Sequence, residues 1–592
     1  MDVLKGLAFL LFVLLALGSA NPNKVKSGKK VQCERPREKM NSDFTLTILH
    51  TNDIHSHFEE SNSWGGPCTP NKKKNNSTEH CVAGVTRLAT LVKEMKKEYP
   101  DALLMNAGDF YQGSVWYTVL KHEIVSEVMK KLKYNAVCLG NHEFDDGPAG
   151  LAPFLGNMTQ VGTKVITTNV DTSKEPILKG KKVLKSHVFC VDGVKVGVIG
   201  AVTVETRTIA RPGLVEILEV IPALDKEAKK LKGQGVNVIV AVTHTGYDVD
   251  PDIVGQVKDL DILVGGHTNT FLYNGTPPTD DKREGDYPTV IKRDDGSRGL
   301  IVQDFWFAKY LGFLQVTFNK DGEVQSWGGN PIQVNHTYKE DEEMKKVLDK
   351  YRGRVEEAGR RPIGSSKVEL FADNKTCRLG ECNMMNMVTD AFLAHYANEK
   401  SPDDMWSNVA AAVVNSGFAK SSLPKSDNLT MFNIMRSLPF ESSLVVLTMN
   451  GSHLRYMFEH GVHNFTVTSD PRGEFLQASG MKMVIDLGKE SYNRVVKLQI
   501  LCTKCTVPRY EDVKDDATYR IATTSYIANG GDGFKFDPEV KKETKGVVDS
   551  EVYIPYIQKM SPLKTPVEGR IELLNYPCVT ERSDNWKPEI WV

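Results

Sequence analysis

Leu49-His50-Thr51-Asn52-Asp53-Ile54-His55 decides the fold. The stretch Phe44 to His50 reads as a β-strand, and polar residues follow at its carboxyl end. The same arrangement recurs four times in the first half of the chain. Leu103-Leu104-Met105 runs into Asn106-Ala107-Gly108-Asp109, and Ala136-Val137-Cys138-Leu139 into Gly140-Asn141-His142-Glu143-Phe144-Asp145. Val236 to Val242 runs into Thr243-His244-Thr245-Gly246, and Ile262-Leu263-Val264 into Gly265-Gly266-His267. Strand carboxyl ends share one edge of an open α/β sheet, and ligands bind there. Five such ends are expected to bring aspartates, an asparagine and several histidines to one rim.

Those residue types suit a pair of metal ions. Carboxylate and amide oxygens with imidazoles ligate Zn, Mn or Fe-class divalents. A carboxylate can bridge two ions roughly 3.5–4 Å apart, and such a pair clamps the attacking and leaving oxygens of a phosphoryl displacement. A lone Asp-x-His would read as a capped turn with a satisfied core histidine. Five fragments in strand-end context outweigh that reading.

Outward from these motifs, residues 44–330 alternate strands and helices. Val85, Leu88, Leu91, Val92 and Met95 give a helical stripe, and the apolar runs at 196–200, 236–242 and 262–264 suit strands covered on both faces. Residues 339–360 are charged, without a long apolar face, and read as a linker helix. Residues 363–575 form a second mixed α/β region. A chain of 592 residues accommodates two large domains. Its 40% hydrophobic and 25% charged residues exclude disordered and multi-span membrane classes. Lys+Arg total 74 against 75 Asp+Glu, a balance without the basic footprint of a nucleic-acid binder. Lys72-Lys73-Lys74 reads as a solvated face.

The N-terminus reads as an export signal. Lys5 precedes the apolar run Leu7–Leu17, and Gly18-Ser19-Ala20 supplies small residues for a cut after Ala20. The C-terminal residues lack the apolar tail of a lipid-anchor signal, so a secreted, extracellular protein with no membrane anchor is expected. Nine Asn-x-Ser/Thr sequons and ten cysteines agree with export. Close spacing suggests Cys68–Cys81, Cys377–Cys382 and Cys502–Cys505 disulfides. Cys33 and Cys578 flank the folded region and are a weaker expected pair. Cys138 and Cys190 lie in apolar strands and read as buried thiols.

The ordered motifs resemble the 5′-nucleotidase/apyrase family of calcineurin-like metallophosphatases. Asn529-Gly530-Gly531-Asp532-Gly533-Phe534 in the second half is similar to that family's nucleotide-site signature. The resemblance implies an N-terminal αββα metallophosphatase sandwich and a C-terminal mixed α/β nucleotide-binding domain. The expected division is signal 1–20, extension 21–42, metallophosphatase domain 43–337, linker helix 338–362, nucleotide-binding domain 363–578 and tail 579–592. It further implies metal ligands Asp53, His55, Asp109, Asn141, His244 and His267, with Asp109 the bridge, and two divalent ions: zinc first, then Mn, Co, Mg or Ca. His142 matches the catalytic histidine and Asp145 the carboxylate that orients it. Asn269, Arg378, Asn415, Lys420, Phe440, Tyr526 and Asp532 match substrate-binding positions, with Phe440 and Tyr526 stacking on the base. The implied partners are ATP, ADP or AMP, with no nucleic acid and no obligate protein partner.

One segment departs from the family pattern. Asn415-Ser416-Gly417-Phe418-Ala419-Lys420 stands where Asn-Gly-Gly-Gly-Ile-Arg is usual. Lys420 keeps the charge of the arginine but loses its bidentate fork. Phe418 is expected to add bulk near the ligand. The competing reading is a nucleotide-binding or receptor-blocking protein without turnover. Its mark would be broken metal ligands, and all six are present.

Overall fold

The computed structural model describes residues 33, 43–62, 65, 68, 81–399, 401, 405–439, 442–467 and 471–577. The signal and tail, the Lys72–Lys74 run, Phe440 and Cys578 lie outside these residues. No helix among the described residues is long and apolar enough to cross a membrane.

The first half is built on two sheets. In one, Phe44–Thr51, Leu103–Asn106, Ala136–Val137 and Lys164–Val165 lie side by side and parallel, and Tyr310–Phe318 pairs antiparallel with the first. In the other, Val194–Val202, Val238–His244, Ile262–Val264 and Arg298–Val302 are parallel neighbours. Period-two alternation fixes how the sheets stack. Leu46, Ile48, Leu103, Met105, Val238, Val240, Val242, Ile262 and Val264 share one core between the sheets. The alternate residues Leu49 and Leu104 join the helices over the first sheet, and Ile239, Ala241 and Leu263 those over the second. The result is the αββα sandwich. The five ligand-bearing strand ends therefore come from two facing sheets rather than the edge of one.

The helix Val85–Glu98 buries Val85, Leu88, Leu91, Val92 and Met95, the stripe read from sequence. The helix Glu342–Arg360 corrects an expectation. Asp341 caps it by accepting from Met344 N–H at 3.0 Å. Its Met344, Val347, Leu348, Tyr351 and Val355 are buried in the core of the first half. Met344, Val347, Leu348 and Tyr351 stand at helical spacing in the sequence, and Val355 extends them into a longer apolar face than the charged composition suggests.

In the second half, Leu476–Ser479, Ala411–Asn415, Thr518–Thr524, Ser443–Asn450 and Lys541–Val548 form a five-stranded sheet. Ala412, Val414, Leu444 and Val446 face one core with helices Asn383–Ala397 and Ser550–Met560. Ala411, Val413, Val445 and Leu447 face the other, with helix Gly451–Val462 and a four-stranded sheet. The two halves touch through Ser443 Oγ, which donates to Ile209 O at 3.0 Å, and through an Arg211–Glu551 ion pair.

The three close disulfides form as expected. The fourth corrects the sequence reading: Cys33 pairs with Cys190, not Cys578. Cys190 lies exposed in Ser186–Val191, an edge strand, and so is no buried thiol; Cys138 is one. Burial pushes the Cys138 thiol up to about 12.

Candidate active site

The ligand-bearing loops share a rare backbone conformation. Asp53, His55, Asp109, His267 and Asn269 have φ of 50°, 48°, 54°, 80° and 54°. Asp, Asn and His tolerate this left-handed region best among residues with a Cβ, and such strain concentrates at functional sites. Backbone bonds lock the loops together: Asp53 N–H donates to Gly108 O at 3.1 Å, and His55 N–H to Asp109 O at 2.9 Å. His267 N–H donates to Asp53 Oδ2 at 3.0 Å, joining the second sheet to the first. Gly140 is obligatory, because a Cβ there would lie 2.1 Å from Asp109 Oδ1.

These bonds converge the side chains on Asp109. Its Oδ2 lies 2.9 Å from His244 Nε2, 3.7 Å from His55 Nε2 and 4.0 Å from His142 Nε2. Asp53 Oδ1 lies 3.7 Å from His55 Nε2 and 4.0 Å from His244 Nε2. Two metal-competent groups result, His55–Asp109–His142 and Asp109–His244–His267, and Asp109 belongs to both. Asp53, His55, Asp109, His244 and His267 are thus brought together around one carboxylate, and His142 joins them in the first group.

Several buried acceptors point to a cation. Asn141 Oδ1 and Asn269 Oδ1 are buried without a hydrogen-bond partner. His244 Nδ1 pairs with Ala107 O at 2.7 Å, so its Nε2 is the atom turned to the site. That Nε2 has no hydrogen bond of acceptable geometry, although Asp109 lies beside it. Buried carboxylates and orphaned oxygens are costly unless a partner satisfies them. A divalent cation is the partner this donor set fits.

Electrostatics follow from the crowding. Burial pushes Asp109 up, but His244, His142 and His55 outweigh it and hold the carboxyl far below its usual range. Burial also opposes charge on His244, yet Asp109 and Asp53 raise it to about 9. A cation at its Nε2 therefore competes with a proton. Burial and His244 push His267 down to about 4, leaving the neutral imidazole a metal needs. His142 Nδ1 pairs with Asp145 Oδ2 at 2.6 Å. Against burial, Asp145 and Asp109 lift His142 to about 10, favouring the protonated ring.

Sequence reasoning assigned no role to Glu143. Its buried carboxylate accepts four backbone N–H groups: Asp109 at 2.9 Å, Phe110 at 2.8 Å, Tyr111 at 3.0 Å and Gly140 at 2.6 Å. It binds the Asp109 loop to the loop that carries Asn141 and His142. Asn52 and Asp304 were missed likewise. Asn52 Nδ2 donates to Asp53 Oδ2 at 2.7 Å, while Asp304 Oδ1 accepts from Asn52 N–H at 3.2 Å. The position of Glu143 inside Gly140–Asp145 was the available signal.

A second cluster lies in the other half. Tyr526 OH donates to Asp532 Oδ1 at 2.8 Å, and Asn415 Nδ2 to Asp532 Oδ2 at 2.7 Å. Three of the expected substrate residues therefore meet, and Tyr526 is 48% exposed. Gly531 is obligatory here too, because a Cβ would lie 2.6 Å from the Tyr526 ring. Arg378 Nη1 donates to Pro471 O at 2.6 Å. Lys420 is half-buried, its backbone N–H donating to Ser437 O at 2.8 Å. Phe418 contradicts the expectation of bulk at the ligand: it is buried in the core, edge-on to Phe392 at 6.3 Å. Across the domain boundary, Asn529 Nδ2 donates to Glu205 Oε2 at 3.4 Å.

Comparison with known proteins agrees with both halves. Residues 46–271 match the calcineurin-like phosphoesterase family, and residues 362–537 the 5′-nucleotidase C-terminal domain. The chain is 39% identical over 539 residues to a 5′-nucleotidase of Mus musculus, covering 90% of this chain and 91% of the mouse protein. A snake venom 5′-nucleotidase of Naja atra is 37% identical, with 89% of this chain and 98% of the venom protein covered. The crystal structure of a 5′-nucleotidase precursor from Thermus thermophilus is similar with TM-score 0.62 and 33% identity, covering 90% of this chain and 100% of that one.

Proposed function

Because the chain belongs to the 5′-nucleotidase family, we propose that it is an exported, metal-dependent nucleotide phosphohydrolase acting on AMP, ADP or ATP. The single observation that supports this best is the pair of metal-competent groups sharing Asp109. In this reading residues 43–337 carry the chemistry, 363–578 grip the nucleoside, and the helix within 338–362 joins them.

Asp53, His55, Asp109, Asn141, His244 and His267 would hold two divalent ions. When bound, such ions neutralise phosphate charge and lower the pKa of a nearby water. The protein's own contribution is position and proton supply. His142, anchored through Nδ1 to Asp145, turns Nε2 toward the site, and the Asp145 carboxylate favours its protonated form. It can give that proton to the leaving oxygen as the phosphorus–oxygen bond breaks. Tyr526, Asp532 and Asn415, with Phe440 as the second stacking ring, would hold the base and ribose, and Arg378, Lys420 and Asn269 the phosphate end.

The test is phosphate release from AMP, ADP, ATP and a UDP-sugar, with and without chelator. Hydrolysis of at least one nucleotide is expected, abolished by chelation and restored by Zn or Mn. Undiminished turnover in a verified metal-free sample would refute the metal reading. Retained binding without turnover on any of the four substrates would refute the enzyme.

A further inference from the structure

Among the described residues, the side chain of His460 touches no metal-site residue and no side chain proposed to contact substrate. It is 6% exposed, near the end of the helix Gly451–Val462. Its Nε2 lies 3.1 Å from the backbone oxygen of Asp532, and its Nδ1 lies 3.2 Å from the Tyr492 hydroxyl. A carbonyl oxygen only accepts, so Nε2 must carry the hydrogen. In the neutral ring, Nδ1 then accepts from Tyr492, and the two partners select one tautomer. Ring contacts fix the plane: His463 stacks at 4.6 Å and 19°, and Phe534, just past the Asp532 loop, lies at 4.6 Å. Tyr492 itself has φ of 62°, an uncommon conformation for a bulky residue.

Asp532 also has a left-handed φ, of 54°. Its two carboxylate oxygens are held by Tyr526 and Asn415, and its N–H donates to the Tyr526 hydroxyl at 3.2 Å. The backbone oxygen is the remaining polar atom, and His460 holds it. Gly530, Gly531 and Gly533 flank this residue and supply no side chains to stiffen the loop. We propose that His460 is a positioning residue for nucleoside recognition, fixing through its Nε2–H the loop that presents Asp532. The proposal rests on the nucleotide reading of Asp532 given above.

The experiment compares AMP with β-glycerophosphate, a phosphomonoester without a nucleoside. His460→Phe keeps a ring against Phe534 and His463 but removes both nitrogens. The KM for AMP should rise roughly two- to tenfold, the loss of one hydrogen bond, at kcat within about twofold. The KM for β-glycerophosphate should stay unchanged. His460→Gln, with an amide N–H near the Nε2 position, should recover part of the loss. If His460→Phe does not fold, Tyr492→Phe carries the same comparison with a smaller expected rise. Asp532→Ala separates the two ideas. Should it raise the AMP KM while the His460 variants do not, the positioning role is overturned and the nucleotide site stands. Should Asp532→Ala leave it unchanged as well, the site reading fails and this proposal with it. Equal effects on both substrates would also overturn it, because they mark a general structural role.

Discussion

Glu143→Gln isolates the most heavily used support of the metal site. The native carboxylate accepts four backbone N–H groups, two on each oxygen, at 2.6–3.0 Å. Glutamine keeps one oxygen and turns an amide NH2 toward the other N–H pair. Two buried donors then face a donor. Each buried unsatisfied group costs about 1–3 kcal/mol, so the loss should be about 2–6 kcal/mol. For a domain of a few hundred residues this lowers the melting midpoint by no less than about 4 °C. The unsatisfied pair is either Phe110 and Tyr111 or Asp109 and Gly140, and both choices loosen the segment that places Asp109. Metal affinity should fall with stability, read by competition against a chromogenic chelator. Far-UV circular dichroism confirms that the variant is folded. Glu143→Asp, which keeps both oxygens but retracts them, should lie between wild type and Gln. A melting midpoint shifted by less than about 1 °C together with unchanged metal affinity would refute the reasoning.

The same structure sets two further outcomes. His142→Ala should retain metal and nucleotide binding in calorimetry but lose about 10²–10⁴-fold in kcat, since a proton donor acts in the transition state. Tyr526→Ala removes an exposed stacking face and should raise the nucleotide KM about 5- to 150-fold if single-strand stacking values transfer; Tyr526→Phe, which keeps the ring, should show only the smaller loss of the bond to Asp532.

How far the sequence led depends on how local the information was. Asp53, His55, Asp109, His244 and His267 were legible because each sits within a few residues of an apolar strand, and strand ends place side chains predictably. The division of those strands between two sheets was not, since it depends on which alternate residues meet: Leu46 shares a core with Val240, and Leu49 does not. Cys33 and Cys190 are 157 residues apart, and no spacing rule reaches that far. Cys377 and Cys382, five apart, were readable. Phe418 was misjudged because motif position says what a residue replaces, not which way it points. The strand Ala411–Asn415 sends its chain past Phe392, and burial of an aromatic ring there outweighs exposure in a cleft. In the helix Glu342–Arg360 the apolar residues Met344, Val347, Leu348 and Tyr351 stand at helical spacing in the sequence, but the charged positions that outnumber them hide how far that face, with Val355, is buried.

The two clusters differ in how firmly they are fixed. Four of the expected metal ligands, Asp53, His55, Asp109 and His267, and neighbouring Asn269 hold left-handed φ values, each a cost of about 1–3 kcal/mol. They persist because backbone bonds between loops and the four bonds to Glu143 over-determine them. Most single changes there would release the strain and move several ligands together. The Asp532 cluster is held chiefly by side-chain bonds from Tyr526, Asn415 and His460, on a glycine-rich loop with an exposed ring. Each of those bonds contributes about 0.5–1.5 kcal/mol and can be exchanged singly. Lys420 and Phe418, read in the sequence as departures from the family pattern, lie in that half. Single changes in the second cluster are therefore expected to disturb fewer neighbours than single changes in the first.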